Sequence, residues 1–327
     1  MYKLNINGLS IMNSSTLSQE NTTYDDEIDL KELFSVLWKA KILIIVITSF
    51  FALSSVLYAL SLTNFYKSEV ILNVAGESNA LGALSGMSGL ASMAGITLPS
   101  SGEDKSEIAI KTIQSRAFLG HLITFENVLP SIMATKSYDF QSKKIQFDPK
   151  IYNENNGGWV RKPSKNQQPE PSYLEAYKTY LNQVSISKDK VSNLITISVE
   201  HISPIFAKEL LELIINEANE LLRNKDLRDS SAAIAFLNTE IPKSSLTTMK
   251  DAINMLIQSQ LHKQMQSKVN KEYILKIIEP PFVPEEKSKP SRALICILGT
   301  LLGGMLAIIW ILMRHYILGR VESGLDS

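Results

Sequence analysis

Two uninterrupted apolar stretches, 42–62 and 293–313, constrain the fold of this chain more than any other feature. Each has 21 residues without a charged side chain. At about 1.5 Å per helical residue, such a stretch spans the roughly 30 Å hydrocarbon core of a bilayer. A core helix in a soluble protein rarely extends so far without a charge, and the apolar region of a signal peptide is shorter. The sequence therefore predicts two transmembrane helices that flank residues 63–292.

The charges beside the two stretches give opposing indications about topology. Lysines precede the first stretch at positions 31, 39 and 41, whereas Lys67 follows it alone. Around the second stretch, more cations precede than follow. Because the first helix usually determines orientation and long loops translocate largely regardless of charge, we expect both termini in the cytoplasm. The central region is then extracytoplasmic.

The uncharged segment 78–102 leaves an alternative topology open. It is rich in glycine and serine, and Gly82 and Gly86 have the four-residue spacing found in closely packed membrane helices. Its apolar content is well below that of the two long stretches. We therefore favour a loop or loose helix packed against a neighbouring subunit over a third span.

Composition excludes several classes of function. Lysine plus arginine and aspartate plus glutamate both number 33, so no long-range field favours nucleic acid or an acidic partner. The single cysteine, Cys296, lies inside the second apolar stretch, so the central region can contain no disulfide. At about 230 residues, this region is large enough to be stable through its own core.

Hydrophobic periodicity in the central region predicts a mixed α+β domain. We expect strands at 66–74, 184–187, 194–200 and 272–278. We expect helices at 105–123, 173–181, 204 to about 238, and 246–269, with Ser203 capping the third and Pro204 opening it. We expect irregular surface structure over 137–171. Because strands adjoin both apolar stretches, the sheet is expected at the membrane surface, with the long helices leaving it and returning as an antiparallel projection.

A proline-rich stretch precedes the second apolar segment. Its four prolines, which lack a backbone donor and favour extended geometry, are Pro280, Pro281, Pro284 and Pro290. This composition favours a semi-rigid strut over 280–292, and an ordinary linker remains the alternative.

Several landmarks together resemble one protein family. They are EIDLKELFSVLWKAK before the first span, SPIFAKELLELIINEANELLR at the start of the long helix, the proline strut, and Gly303-Gly304-Met305 in the second span. From about Asp25 to Tyr316 the chain resembles the Wzz polysaccharide chain-length regulators, the co-polymerases of Gram-negative inner membranes. It departs from their pattern after Met305, where Ala307 is followed by two isoleucines, and in the order Ser288-Lys289-Pro290.

The resemblance implies a homo-oligomer in the bacterial inner membrane that acts with a Wzy-type polymerase to set the length of a lipid-linked, O-antigen-like glycan. The implied organisation has cytoplasmic segments 1–41 and 314–327, spans 42–62 and 293–313, and a periplasmic domain over 63–292. Within that domain we expect a membrane-proximal α/β base at about 63–203 and 271–280, and a long helical hairpin at about 204–270. The membrane lipid and the lipid-linked glycan are the further contacts expected.

The second span carries a candidate packing face. Gly299 and Gly303 form a GxxxG step that permits close helix approach, and Gly304 and Met305 follow it. We predict that these residues mediate packing between protomers or contact with the polymerase. Glycines are also common in membrane helices in general, which is the alternative.

No catalytic, cofactor or metal site is predicted. The histidines at 121, 201, 262 and 315 lie in unrelated segments without metal-ligand spacing, and no GxSxG or GxxxxGK[ST] motif occurs. Related co-polymerases with a cytoplasmic tyrosine kinase need such a phosphate loop, so we expect a non-enzyme. Two other functions stay open: a membrane adaptor of polysaccharide export, and the membrane activator of a split tyrosine kinase system.

Overall fold

The computed structural model describes residues 30–74, 105–163, 168–243, 247–270 and 272–322. The segment 78–102, for which a loop or loose helix was expected, lies outside these residues. The chain divides into two compact units, Met1–Leu57 with Ala293–Ser327, and Tyr58–Arg292.

Helices α1 (Leu30–Lys39), α2 (Lys41–Ser61) and α9 (Arg292–Glu322) supply the described part of the first unit. Within the described residues, Lys41–Ser61 and Arg292–His315 are long and apolar enough to cross a membrane. Large apolar side chains such as Phe50 and Leu53 are exposed in the protomer, each at 67%. Such exposure is expected of helices surrounded by lipid and not of a soluble core. Two apolar helices at the ends of a mixed helix and sheet protein are thus confirmed.

The second unit is built on a five-stranded antiparallel sheet. Its strands are β1 (Phe65–Val74), β6 (Val184–Lys188), β7 (Ile195–His201), β8 (Leu275–Glu279) and β9 (Lys287–Lys289). Their order is β6-β7-β1-β8, and β9 also pairs with β1. Even-numbered residues of β1 from Tyr66 to Val74 are buried, which confirms the strand predicted at 66–74. The strands predicted at 184–187 and 194–200 are confirmed as well, and they pair as a hairpin with Ile186 opposite Ile197.

Short helices and small sheets occupy the chain between β1 and β6. The helices are α3 (Lys105–Ile113), α4 (Arg116–Leu122), α5 (Val128–Ala134) and α6 (Tyr173–Gln183). The small strands are β2 (Thr135–Asp139) paired with β3 (Lys144–Phe147), and β4 (Tyr152–Asn153) paired with β5 (Gly158–Trp159). The prediction of irregular structure over 137–171 was therefore wrong for these strands, which aromatic contacts support: Tyr152 packs edge to face on Phe147 and on Trp159.

The helix predicted over 105–123 is interrupted at residues 114–115. Ser115 has an extended backbone and caps α4, because its hydroxyl accepts a hydrogen bond from the Phe118 amide at 3.1 Å. The buried Tyr180 hydroxyl donates to the Ile113 carbonyl at 3.0 Å. A good N-cap and an external donor for the preceding carbonyl together make two short helices favourable.

Two long helices follow the sheet strands, α7 (Pro204–Glu240) and α8 (Thr247–Val269), with a 3-10 turn at Ile241–Lys243. The predicted start is confirmed: Ser203 accepts from the Phe206 amide, and Pro204 occupies the first turn. The helices run antiparallel. Arg223 of α7 donates to the carbonyl of Asn270 at the end of α8. Farther along α7, Asp226 pairs with Lys263 and Ser231 accepts from Gln264.

Burial changes along the helical pair. The first half of α7 fills the core against β1 and β7, with Leu210, Leu211 and Ile214 almost fully buried. Beyond Leu222, the only buried residue of α7 is Ser230 and the only one of α8 is Ser267. Large apolar side chains in this outer part are exposed, namely Phe236, Met249, Met255, Leu261, Met265 and Val269.

The buried amide of Asn219 joins α7 to the returning strand. Its Oδ1 accepts from the amides of Ile274 and Leu275 at 3.0 and 2.9 Å, and its Nδ2 donates to the Leu275 carbonyl at 3.0 Å. The strand predicted over 272–278 begins only at Leu275, beside these bonds to Asn219. It ends at Glu279.

Candidate functional site

The histidines do not converge on a metal or catalytic centre. Among the described residues, no group of three or more His, Cys, Asp or Glu side chains is arranged to hold a metal ion. His121 pairs with Glu217 at 2.6 Å, and His262 is exposed on α8. These positions are consistent with structural roles.

His201 is the one described histidine that is buried deeply. Its Nδ1 accepts from the Ser203 amide and its Nε2 donates to the Ser131 carbonyl, both at 3.0 Å. Burial lowers the pKa of His201 to about 4, although the hydrogen bond to the Ser131 carbonyl acts in the opposite direction. The neutral imidazole thus connects α5 to the start of α7.

The glycines predicted as a packing face lie against the first apolar helix of the same chain. A methyl group at Gly299 would lie 2.9 Å from Ser55 Oγ and closer still to its Cβ. At Gly303 it would overlap Phe51, with the ring Cγ at 2.8 Å. At Gly304 the nearest atom, Thr48 Oγ1, is 3.8 Å away. Glycine is therefore sterically required at Gly299 and Gly303, where α2 and α9 make contact.

Met305 lies differently from the three glycines. Met305 is 58% exposed, and Leu301 and Leu302, one turn before it, are 64% and 55% exposed. Ala307 and Ile311, which follow Gly303 at intervals of four, are buried instead. The structure therefore separates the predicted set into a helix-pairing face and an outward face with Met305.

The proline-rich stretch is attached to the sheet at two points. Pro281 and Pro284 are buried, whereas Pro280 is exposed and Pro290 is half-buried. The Phe282 carbonyl accepts from Ser68 Oγ at 2.7 Å, and Ser288 Oγ donates to the Phe65 carbonyl at 3.1 Å. These bonds fix the stretch along β1 and support a rigid connection over a free linker.

A groove of about 680 Å³ opens between α5, the β2–β3 hairpin and the first half of α7. Aromatic rings of Phe125, Phe147 and Tyr152 line it, and charged side chains surround it at Glu126, Lys143, Lys144, Glu154 and Glu209. This groove was not predicted from the sequence, since its lining comes from two segments, 125–154 and 203–213, that are almost 50 residues apart. The clustered aromatic residues between 140 and 159 were the available signal.

One protein-family model matches part of the chain. The family model described as "Wzz: Chain length determinant protein" matches residues 26–125. This segment, 100 residues of the 327, is similar to the Wzz family. The resemblance found in the sequence is thereby confirmed over the acidic segment before the first apolar helix, that helix, β1 and the helices that follow to Phe125.

Two solved co-polymerase structures match most of the chain at low sequence identity. One is a full-length bacterial polysaccharide co-polymerase, with 14% identity, coverage of 89% of this chain and 99% of that chain, and a TM-score of 0.39. Another is a fragment of WzzB, a polysaccharide co-polymerase from Salmonella Typhimurium, with 11% identity, coverage of 69% and 100%, and a TM-score of 0.30. No curated protein matches the chain.

The Wzz segment and the features found in the structure overlap only in part. The segment includes Ser55 and Phe51, the α2 residues that face the glycines. The glycines, the long helices and the proline-rich stretch lie beyond residue 125. The groove also lies there, except for Phe125.

Proposed function

We propose that this protein is an inner-membrane regulator of the chain length of an O-antigen-like surface polysaccharide, without catalytic activity of its own. It acts as a homo-oligomeric scaffold beside a Wzy-type polymerase, which extends the lipid-linked glycan. The match of residues 26–125 to the Wzz chain length determinant family carries this proposal.

The proposed topology places 1–41 and 314–327 in the cytoplasm, spans at 42–62 and 293–313, and 63–292 in the periplasm. The periplasmic part has a base at about 63–203 and 271–280, a projecting helical hairpin at about 204–270 and a strut at 280–292. Short connections support a base near the membrane, because only residues 62–64 separate α2 from β1 and only 290–291 separate β9 from α9. Alkaline phosphatase fused after Glu103 should be active, and the same fusion after Ser327 inactive; the reverse result would contradict the topology.

Exposed apolar side chains on the outer helical pair support assembly of protomers side by side. Phe236, Met255 and Met265 are each more than half exposed in the protomer. Large exposed apolar patches on a stable protein usually mark an interface. Native mass spectrometry of the full chain in detergent should give one closed oligomer. A Met265→Glu variant should dissociate it, while Lys250→Glu, an exposed change on α8, should not.

Close packing of α2 on α9 uses Gly299 and Gly303, which leaves the outward face around Met305 for lateral contact with the polymerase. Replacing both glycines by leucine should separate the helix pair and alter glycan length. An unchanged modal length would contradict a role for the packing of α2 on α9 in length control.

Deletion of the gene, followed by electrophoresis of the extracted polysaccharide, tests the function itself. We expect the modal band to disappear while polymer of irregular length remains. Loss of all polymer would instead favour export, and loss of tyrosine phosphorylation on a separate kinase would favour the activator role.

A further inference from the structure

We infer that the groove between α5, the β2–β3 hairpin and α7 binds a short segment of the saccharide chain whose length the protein regulates. This inference rests on the proposed function and adds a ligand site to it. It depends on three properties of the groove: its size and aromatic lining, its unpaired charges, and its backbone conformation.

The size and lining suit a sugar. A volume of about 680 Å³ lies within the range of about 300–1,000 Å³ typical of small-molecule sites. The rings of Phe125, Phe147 and Tyr152 are partly exposed, over a floor of buried Val128, Phe206 and Leu210. A pyranose ring combines apolar C–H faces, which pack on aromatic rings, with a rim of hydroxyl groups that need polar partners.

The charged side chains around the groove can serve those hydroxyl groups. None of the ion pairs among the described residues uses Glu126, Lys143, Lys144, Glu154 or Glu209. Carboxylates accept hydrogen bonds from hydroxyls, and ammonium groups donate to hydroxyl or ring oxygens. Three carboxylates beside two lysines do not create a strongly cationic surface. The groove therefore fits a neutral or weakly charged saccharide better than a polyanion.

Two unusual backbone conformations occur in the lining. Of the described non-glycine residues, Asn127, Lys143 and Asn193 have positive φ, and the first two line the groove. Asn127 stands at the N-cap position of α5, yet its side chain makes no capping hydrogen bond, so its amide remains available to the groove. A lysine with φ of 54° is uncommon, because glycine or asparagine adopts this conformation with less strain. Strain of this kind tends to persist where function requires the side chain.

The strained lysine also permits a test that does not endanger the fold. Lys143→Asn removes the charge and suits the positive φ, so the variant should be at least as stable as the wild type. Tyr152→Leu removes an aromatic face and keeps an apolar side chain. Lys190→Asn is the matched control, because Lys190 is an exposed lysine in the loop of another hairpin, between β6 and β7, and does not line the groove.

The probe is a set of one- to three-repeat oligosaccharides released by mild acid from the surface polysaccharide of the strain that encodes the protein. Binding to the full chain in nanodiscs is followed by Trp159 fluorescence, since Trp159 packs on Tyr152 with ring centroids 5.1 Å apart. Trp38 and Trp310, the other two tryptophans, are replaced by phenylalanine. Isothermal titration calorimetry checks the affinities.

We expect binding with a Kd of about 1 mM or tighter, weakened at least about tenfold by Lys143→Asn and by Tyr152→Leu and unchanged by Lys190→Asn. Absence of binding by the wild type, or equal affinities in all four proteins, overturns the inference. The deletion experiment separates this result from the proposed function. If deletion leaves glycan length unchanged while the groove binds saccharide, the function fails and the site stands; if deletion alters length and no saccharide binds, the site fails and the function stands.

Discussion

Acidification should destabilise this protein through one residue, the buried His201. The unfolded chain binds a proton at this position near the ordinary pKa of 6.5, whereas burial lowers the folded pKa to about 4. Above about pH 6.5 both states are neutral and His201 contributes no pH dependence. As the pH falls below 6.5, the unfolded state takes up a proton that the folded state excludes, so the free energy of unfolding decreases until the pH reaches about 4.

The size of this effect follows from the two pKa values. Each pKa unit corresponds to about 1.4 kcal/mol, so the full loss is about 3 kcal/mol, and about 2 kcal/mol is lost between pH 7 and pH 5. Protonation would also place a hydrogen on Nδ1, which accepts from the Ser203 amide at 3.0 Å. The start of α7 is therefore the part of the fold that opposes protonation.

The assay is urea unfolding of the full chain in detergent at pH 7 and pH 5, followed by Trp159 fluorescence in a Trp38→Phe/Trp310→Phe background. His201→Gln cannot be protonated and should lose about 2 kcal/mol less than the parent protein between the two pH values. It should be less stable than the parent at pH 7, since glutamine fits the two partners of His201 less well. His262→Gln is the control, because His262 is exposed.

The role assigned to His201 is contradicted if His201→Gln loses as much stability on acidification as the parent protein. It is also refuted if His262→Gln reduces the pH dependence by the same amount as His201→Gln, since any histidine would then suffice.

Three further substitutions test the packing. Gly303→Ala should destabilise the α2–α9 pair by about 1–3 kcal/mol, because its methyl group overlaps Phe51, whereas Gly304→Ala should have little effect. Equal thermal unfolding midpoints for the two variants in nanodiscs would contradict the helix contact. Asn219→Leu should reduce the free energy of unfolding in urea by about 3 kcal/mol or more, since it removes the side-chain partner of three buried backbone groups of Ile274 and Leu275. A loss no larger than that of the exposed change Asn224→Leu would contradict the importance of these hydrogen bonds. Tyr180→Phe should cost about 1–2 kcal/mol in the same assay through the unsatisfied Ile113 carbonyl, while Tyr173→Phe, at an exposed site, should be neutral.

The parts of the fold that were predictable from sequence are those that local patterns determine. Alternation of polar and apolar residues located β1 and the β6–β7 hairpin, because one face of each strand is buried and the other is not. Ser203 and Pro204 located the start of α7, because the cap and the fixed φ of proline act within one helical turn. The length of the two apolar stretches and their lack of charged residues identified the two apolar helices.

The parts that were missed depend on distant contacts. The break between α3 and α4 needs the Tyr180 hydroxyl, which is 67 residues from the Ile113 carbonyl. Leu275, the first residue of β8, is bonded to Asn219, more than 50 residues before it. The glycine face is predicted to meet another protomer or the polymerase, and within the protomer it packs on α2 through atoms of Ser55 and Phe51. Periodicity shows that a face is adapted to close packing but does not identify its partner.

The groove and the family match bear on different parts of the proposed mechanism. The Wzz segment ends at Phe125, so it includes the first apolar helix and the first sheet strand but almost none of the groove lining. A regulator that acts on a particular glycan needs one part that holds it beside the polymerase and another that distinguishes the glycan. The Wzz segment is suited to the first task, since it contains an apolar helix and the strand that follows it. The aromatic and unpaired charged side chains of the groove are suited to the second. Exchanging residues 126–161 with the corresponding region of a regulator for another glycan should therefore transfer saccharide preference while leaving membrane insertion and the sheet intact.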